Sequence, residues 1–345
     1  MKKKNDEVKN KKRGKQTVFL YNKPKFISSY SVVGQKESKG PMGRYFDEIV
    51  SDDMVGQKTF EKAEQKLMEK AVFGAIEKSG MHPNQIDLYL SGDLLNQIIS
   101  STFTARKFDT TYIGLFGACS TMTESLALGA CLVDGDYVNN ALCATCSHFA
   151  SAEKQFRNPL ELGATRPPTS QWTVTGAGAS ILSKSEDNSL PYIECVTFGK
   201  VTDFGMADVN NMGAAMAPAA MDTLIAHFKE TGRSPLDYDY IFTGDLGKLG
   251  SEILIDLMEH QGVKLGVNYC DCGNMIYDNE QKVQMGGSGC GCSASILNSF
   301  VMQKFLKKEI SSVLFLSTGA LLSPLSSQQG ETIPAIAHAI VIRRD

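Results

Sequence analysis

The stretch Gly117-Ala118-Cys119-Ser120-Thr121-Met122-Thr123-Glu124 decides how this chain is read. An apolar run (Tyr112, Ile113, Leu115, Phe116) precedes it with the look of a buried strand. Behind it Met122, Leu126, Ala130 and Val133 recur at helical spacing. Cys119 therefore falls at a tight strand-to-helix turn. Free backbone N–H groups and the positive end of the helix dipole favour an anion there, either the cysteine's own thiolate or a carboxylate held above it. A cysteine at such a junction follows the steric logic of the hydrolase nucleophile elbow and points to acyl-transfer ancestry. The alternative is a small buried cysteine, which is common in cores.

Working outward, the segment from Ser79-Gly80 through Pro83, Asp87 and Gly92-Asp93-Leu94 recurs 152 residues later, from Thr231-Gly232 through Pro235, Asp239 and Gly244-Asp245-Leu246, without a gap. Each copy lies between two helical patterns, 58–78 with 94–103 in the first and 221–229 with 251–260 in the second. Cys119-Ser120 opening a helix has its own counterpart in Cys292-Ser293, where Gly286-Gly-Ser-Gly-Cys290-Gly291-Cys292 leads into a helix over 296–305. The chain reads as two copies of one β/α unit, 17–188 and 189–345, each sending a helix N-terminus to a shared centre. Strands are expected over 17–20, 24–33, 86–90, 112–117, 140–147 and 177–183. Their alternation with helices is that of a largely parallel sheet with both faces covered.

The 345 residues suffice for about two domains, and 42% hydrophobic with 21% charged residues is ordinary for a globular protein. No apolar run approaches the 18 or so residues of a membrane span, and the lysine-rich start carries no signal-peptide pattern. Nine cysteines, an odd number in otherwise apolar segments, fit reduced thiols rather than a disulfide framework. Residues 1–15 hold eight Lys/Arg and two acids, a net of +6, which leaves −9 on the rest of a chain of net charge −3. Residues 1–16 are thus expected to be a basic disordered tail, either solubilising or drawn to an anionic membrane or acidic partner. The acidic body, without basic-aromatic interleaving, argues against nucleic acid.

This duplicated architecture, with a cysteine at one helix start and a Gly-rich helix start in the other half, resembles the thiolase superfamily over nearly the whole chain. The resemblance implies a five-layered α-β-α-β-α fold. It places the family's acylated cysteine on Cys119, its histidine slot on Asp245 and its asparagine slot on Cys290, with Asn274 a rival for the last. Neither slot holds the expected residue, no Gly-His-Pro motif exists, and none of the five histidines falls near Asp245 or Cys290 in sequence. A carboxylate at the histidine slot donates nothing to an oxyanion unless protonated and repels the charge that acyl transfer develops.

A closer match runs through Ser147-His148-Phe149-Ala-Ser-Ala-Glu153-Lys-Gln-Phe156-Arg157-Asn-Pro159, Arg166-Pro-Pro-Thr-Ser-Gln171-Trp172-Thr173-Val-Thr175-Gly176 and Gly286 to Ser293. These segments resemble the stage V sporulation protein AD family of spore-forming Firmicutes. That resemblance implies a non-enzymatic protein that binds dipicolinic acid (pyridine-2,6-dicarboxylate), free or as its calcium chelate, while the developing spore is loaded. It also implies a peripheral place on the inner spore membrane beside membrane proteins of the stage V sporulation A operon. Relatives in the wider superfamily often pair through the sheet edge, so a homodimer is expected.

A flat dianion needs donors for two carboxylates and a wall for its ring. The helix starts at Cys119-Ser120 and Cys290-Gly291-Cys292 offer N–H groups. Arg157, Arg166 and Lys154 offer charge, Trp172 a ring face, and His148 lies just beyond a strand. Asp245 suits calcium arriving with the ligand. The rival reading is a thiolase-type acyltransferase with Cys119 as nucleophile and Cys290 or His148 as base. Cys143-x-x-Cys146 on a strand sends its sulfurs to opposite faces. Cys270, Cys272, Cys290 and Cys292 form a weak zinc pattern. Gly286–Gly291 lacks the Lys-Ser/Thr of a phosphate loop.

Overall fold

A computed structural model describes residues 10–157 and 162–345. Two half-sheets carry it. In the first the strands run in the order Thr111–Gly114, Leu88–Gly92, Asn140–Ser147, Gly176–Ser183, Lys25–Val33. In the second they run Tyr269–Asp271, Tyr240–Thr243, Ser312–Ala320, Ala335–Arg343, Tyr192–Thr197, the same order, and the halves join where Tyr192 pairs with Lys25. The inferred duplication is therefore a repeat of topology.

In each half the three strands nearest the free edge are parallel, and the fourth is antiparallel to both neighbours. The expectation of a largely parallel sheet gives way to a mixed one. The reason is the connection into the fourth strand: among the described residues the α-helices on the way are the short Phe149–Phe156 and Pro324–Gln328. Neither is a full-length crossover, so the chain returns running the opposite way.

Helix Phe60–Ser79 covers the outer face of the first half-sheet, and Met212–Thr231 with Gly247–His260 that of the second. Between the sheets lie Thr121–Asp134 and the helical run from Cys290 to Leu306. There Met122, Leu126 and Val133 pack with Phe242, Phe300, Phe315 and Ile340, drawn from both halves. Helix, sheet, helices, sheet, helix: these are the five layers.

The residues shared by the two copies are the turn makers. Gly80 and Gly232 end equivalent helices in the left-handed region, at φ 72° and 71°. Asp87 accepts the N–H groups of Asn139 and Asn140 at 2.6 and 3.0 Å, and Asp239 those of Ser311 and Ser312 at 2.7 and 3.0 Å. Each thereby fastens the start of its neighbouring strand.

Several expectations move, among them the strand expected over 112–117, which ends at Gly114, and the helices expected from 251 and 296, which are helical already from Gly247 and Cys290. The helix expected over 94–103 starts at Ile99, because Gln97 and Ile98 sit at φ 55° and 47° and break the turn before it. The helix expected from 221 starts at Met212, where Asn211 accepts from Ala214 N–H. Ordered chain begins before residue 17: Lys12–Arg13 pair with Thr17–Val18, and Glu230 accepts the N–H groups of Lys15, Gln16 and Thr17. The remainder of the tail, residues 1–9, lies outside the described residues, as do Asn158 and Pro159 of the segment quoted above.

Candidate functional site

The turn ahead of the first central helix is tight. Ala118 adopts φ 49°, Ser120 Oγ bonds back to Gly117 O at 2.7 Å, and Thr121 Oγ1 to Ala118 O at 2.7 Å. Cys119 is 9% exposed and faces a cleft of about 530 Å³ including its open mouth, lined also by Leu94, Phe156, Arg157, Met216 and Leu322. The second central helix brings Cys290 to the same place; its Sγ donates to Ala118 O at 3.0 Å.

Asp245 closes the group from beneath. One oxygen accepts from Gly289 N–H at 2.9 Å and Ser288 Oγ at 3.2 Å, the other from Thr318 Oγ1 at 2.9 Å. Gln171 Nε2 holds the backbone carbonyl of Asp245 at 2.7 Å and that of Gly287 at 2.8 Å. Burial pushes the Asp245 carboxyl up to about 6. The Cys119 thiol is driven well above its ordinary value by its hydrogen bond with Cys290, by burial and by the charge of Asp245. A nucleophilic cysteine needs the opposite environment. The helix start that favours an anion is outweighed here by a neighbouring thiol and a neighbouring carboxylate.

Beside this cleft lies a second, of about 650 Å³ including its mouth, and Arg157 belongs to both. Its walls include Phe149, Glu153, Arg166 and Trp172. Phe149 and Trp172 stack with ring centroids 3.7 Å apart and planes 3° from parallel, and the Arg166 guanidinium lies 5.3 Å from the indole centroid. Lys36 Nζ is 4.3 Å from the same ring. Arg157 and Arg166 share one acid, Glu153: Arg157 Nη1 is 2.6 Å from Glu153 Oε1, and Arg166 bonds that oxygen as well as the carbonyl of Gln171.

The expected site residues thus divide. Cys119, Asp245 and Cys290 converge, and Arg157, Arg166 and Trp172 converge next to them. Lys154 turns outward to pair with Glu61. Four others are corrected. Cys292 sits two helical residues past Cys290, about 200° around the axis, and packs with Cys272, Ile276 and Tyr277 in the central core. Gly291 N–H bonds Ser147 Oγ at 2.9 Å, so it fastens the helix to a strand. Ser120 is fully buried and spends its hydroxyl on Gly117. His148 caps helix Phe149–Phe156, accepting from Ala150 N–H at 3.1 Å while Nε2 bonds Asp53 O at 2.7 Å. Both of its ring nitrogens are thereby engaged by the backbone. Asp245, with both oxygens committed to protein donors, is not arranged as a calcium ligand. Among the described residues no cluster of three or more His, Cys, Asp or Glu is placed to hold a metal. Cys143 and Cys146 bond to opposite sides of their strand, to Ser125 O and Glu64.

Sequence reading missed Glu153 and Gln171. Glu153 stands four residues before Arg157, an i,i+4 ion-pair spacing that signals it. Gln171 carries no such signal.

The chain is similar to two kinds of known protein. In fold, the chain is similar to a structure of OleA from Xanthomonas campestris, with TM-score 0.61, 10% identity and coverage of 94% of this chain and 99% of that one. It is likewise similar to AbyA1, a tetronic acid condensing enzyme, with TM-score 0.58, 14% identity and coverage of 92% and 99%. At such identities the likeness shows the thiolase-like fold alone. In sequence, the chain is 44% identical over 332 residues to Stage V sporulation protein AD of Bacillus subtilis (strain 168), covering 96% of this chain and 97% of that protein. The family Stage V sporulation protein AD (SpoVAD) matches residues 14–343. With near-complete coverage on both counts, the chain belongs to the stage V sporulation protein AD family.

Proposed function

We propose that this sporulation protein is a non-enzymatic receptor for dipicolinate, taken up into the developing spore. The observation that carries the reading is the Arg157–Arg166 pair beside a stacked aromatic wall. A flat aromatic dianion asks for charge-assisted donors to its carboxylates and a planar apolar surface for its ring. The protonated thiol of Cys119 next door supports loss of acyl transfer, because it supplies neither a nucleophile nor an oxyanion donor set. The protein acts at the inner spore membrane as a peripheral component, beside membrane proteins of the stage V sporulation A operon. Consistent with a peripheral place, none of the helices among the described residues is long and apolar enough to cross a membrane. A homodimer through the edge strand Thr111–Gly114 is part of the proposal; Ile113 stands exposed on it and Phe116 just past its end.

Calorimetry with dipicolinate, with and without calcium, tests the receptor. Wild type is expected to bind saturably and Arg166→Ala to lose about tenfold or more in affinity, the scale of one charge-assisted contact. No heat with wild type in either condition overturns the reading. Calcium dependence tells whether the chelate or the free acid is the ligand.

A second reading, residual acyl transfer, is favoured by one observation: Cys119 keeps the strand-turn-helix position in a fold shared with condensing enzymes. Incubation with acetyl-CoA followed by intact mass measurement decides it, since a stoichiometric acyl adduct on Cys119 revives the enzyme.

A further inference from the structure

Among the described residues Glu153 is the one acid lining the cationic cleft, and its placement is unusual. It is 6% exposed, on the short helix Phe149–Phe156, and a single oxygen, Oε1, receives both Arg157 and Arg166. One carboxylate charge thus faces two guanidinium charges, with the Lys36 ammonium close to the same indole. The Nε atoms of both arginines are buried and have no hydrogen-bond partner among the described residues. Buried guanidinium groups left half-satisfied carry a desolvation cost that a further anion would offset.

We propose that Glu153 is a built-in competitor: its carboxylate occupies one position that a ligand carboxylate seeks between Arg157 and Arg166, and so sets affinity. This deepens the dipicolinate reading and rests on it for the ligand's identity. Glu153 holds the arginine pair in place while the cleft is empty. An incoming carboxylate has to share the guanidinium groups with it or displace it, against like-charge repulsion at close range. A neutral carboxamide at 153 keeps the acceptor that orients the arginines and removes the competing charge.

The test compares wild type with Glu153→Gln, read by quenching of Trp172, the only tryptophan in the chain, and by calorimetry. Dipicolinate is expected to bind the variant about tenfold more tightly, which is roughly 1.4 kcal/mol. Unchanged or weaker binding in a folded variant overturns the proposal and assigns Glu153 to scaffolding alone. Glu153→Asp, which keeps the charge but draws it back by one methylene, is expected between the two. It serves as the deciding variant if Glu153→Gln does not fold; an affinity no higher than wild type then overturns the idea. Titration with benzoate separates the two proposals. If dipicolinate binds neither protein while benzoate binds Glu153→Gln more tightly than wild type, the receptor reading fails and the competitor stands. If wild type binds dipicolinate and Glu153→Gln binds it no better, the competitor fails alone.

Discussion

Asp93 and Asp245 hold the same place in the two halves, each in a Gly-Asp-Leu at the end of a strand, and their carboxylates bond in different directions. Asp93 stays local: it accepts Leu95 N–H at 3.0 Å, Ser101 N–H at 2.8 Å and Ser101 Oγ at 2.7 Å, so it fastens its own loop. Asp245 reaches past its own turn to Ser288, Gly289 and Thr318 and meets Cys119 of the other half. Duplication supplied two equivalent buried acids. The one on the edge of the shared centre came to lie against Cys119, and its twin remained a loop fastener.

The largest expected effect falls on the twin. Asp93→Ala strands three donors in a buried site and is expected to cost about 3 kcal/mol in urea unfolding, with the rate of Cys119 alkylation unchanged. A change in that rate breaks the distinction between the copies.

The central helices differ as well. At the same offset after the Cys-Ser pair the first carries Glu124 and the second the fully buried Leu297. Burial pushes the Glu124 carboxyl up to about 7, from an ordinary value near 4.5, and its Oε2 has no hydrogen-bond partner among the described residues. The folded state therefore holds this proton more tightly than the unfolded chain does. The resulting stability is complete below about pH 4.5 and is lost as pH rises through 7. Glu124→Gln is expected to raise stability by on the order of 2 kcal/mol at pH 8 and by little at pH 4, measured as urea midpoints at the two pH values. An equal effect at both sinks the account.

Next comes the thiol. Asp245→Asn removes one of the influences that keep Cys119 protonated, and iodoacetamide is expected to modify Cys119 about tenfold faster near neutral pH, as one unit of pKa implies. Asp93→Asn is the control and is expected to leave the rate alone. The smallest effect tests sameness: Gly80→Ala and Gly232→Ala both place a side chain at φ near 70° with open space around it. Each is expected to cost about 1 kcal/mol, and to match the other in thermal melts.

Much of the fold was legible because the repeat is written in residues that make turns, Gly80 with Gly232, Pro83 with Pro235, Asp87 with Asp239. Strand direction was not, since the short helices Phe149–Phe156 and Pro324–Gln328 look like ordinary β/α alternation in sequence. The early start of the helix at Met212 is not signalled by a helical pattern, since Gly213 and Pro218 are poor helix formers; Pro218 nevertheless sits inside the helix, buried. At the site, the meeting of Cys119, Asp245 and Cys290 was legible through resemblance. The separation of Cys292 from Cys290 follows from helical geometry alone and was overlooked. The roles of His148 and Gln171 depend on contacts with Asp53 and with Asp245 and Gly287, which lie 95, 74 and 116 positions away, and no local pattern announces those.

The three donors gathered on Asp245 act as an evolutionary ratchet. A neutral imidazole offers one acceptor nitrogen, so a histidine placed at 245 leaves two of Ser288 Oγ, Gly289 N–H and Thr318 Oγ1 without the partner they now have. That one substitution begins with a less stable protein, and the interior of the molecule itself holds the carboxylate in place.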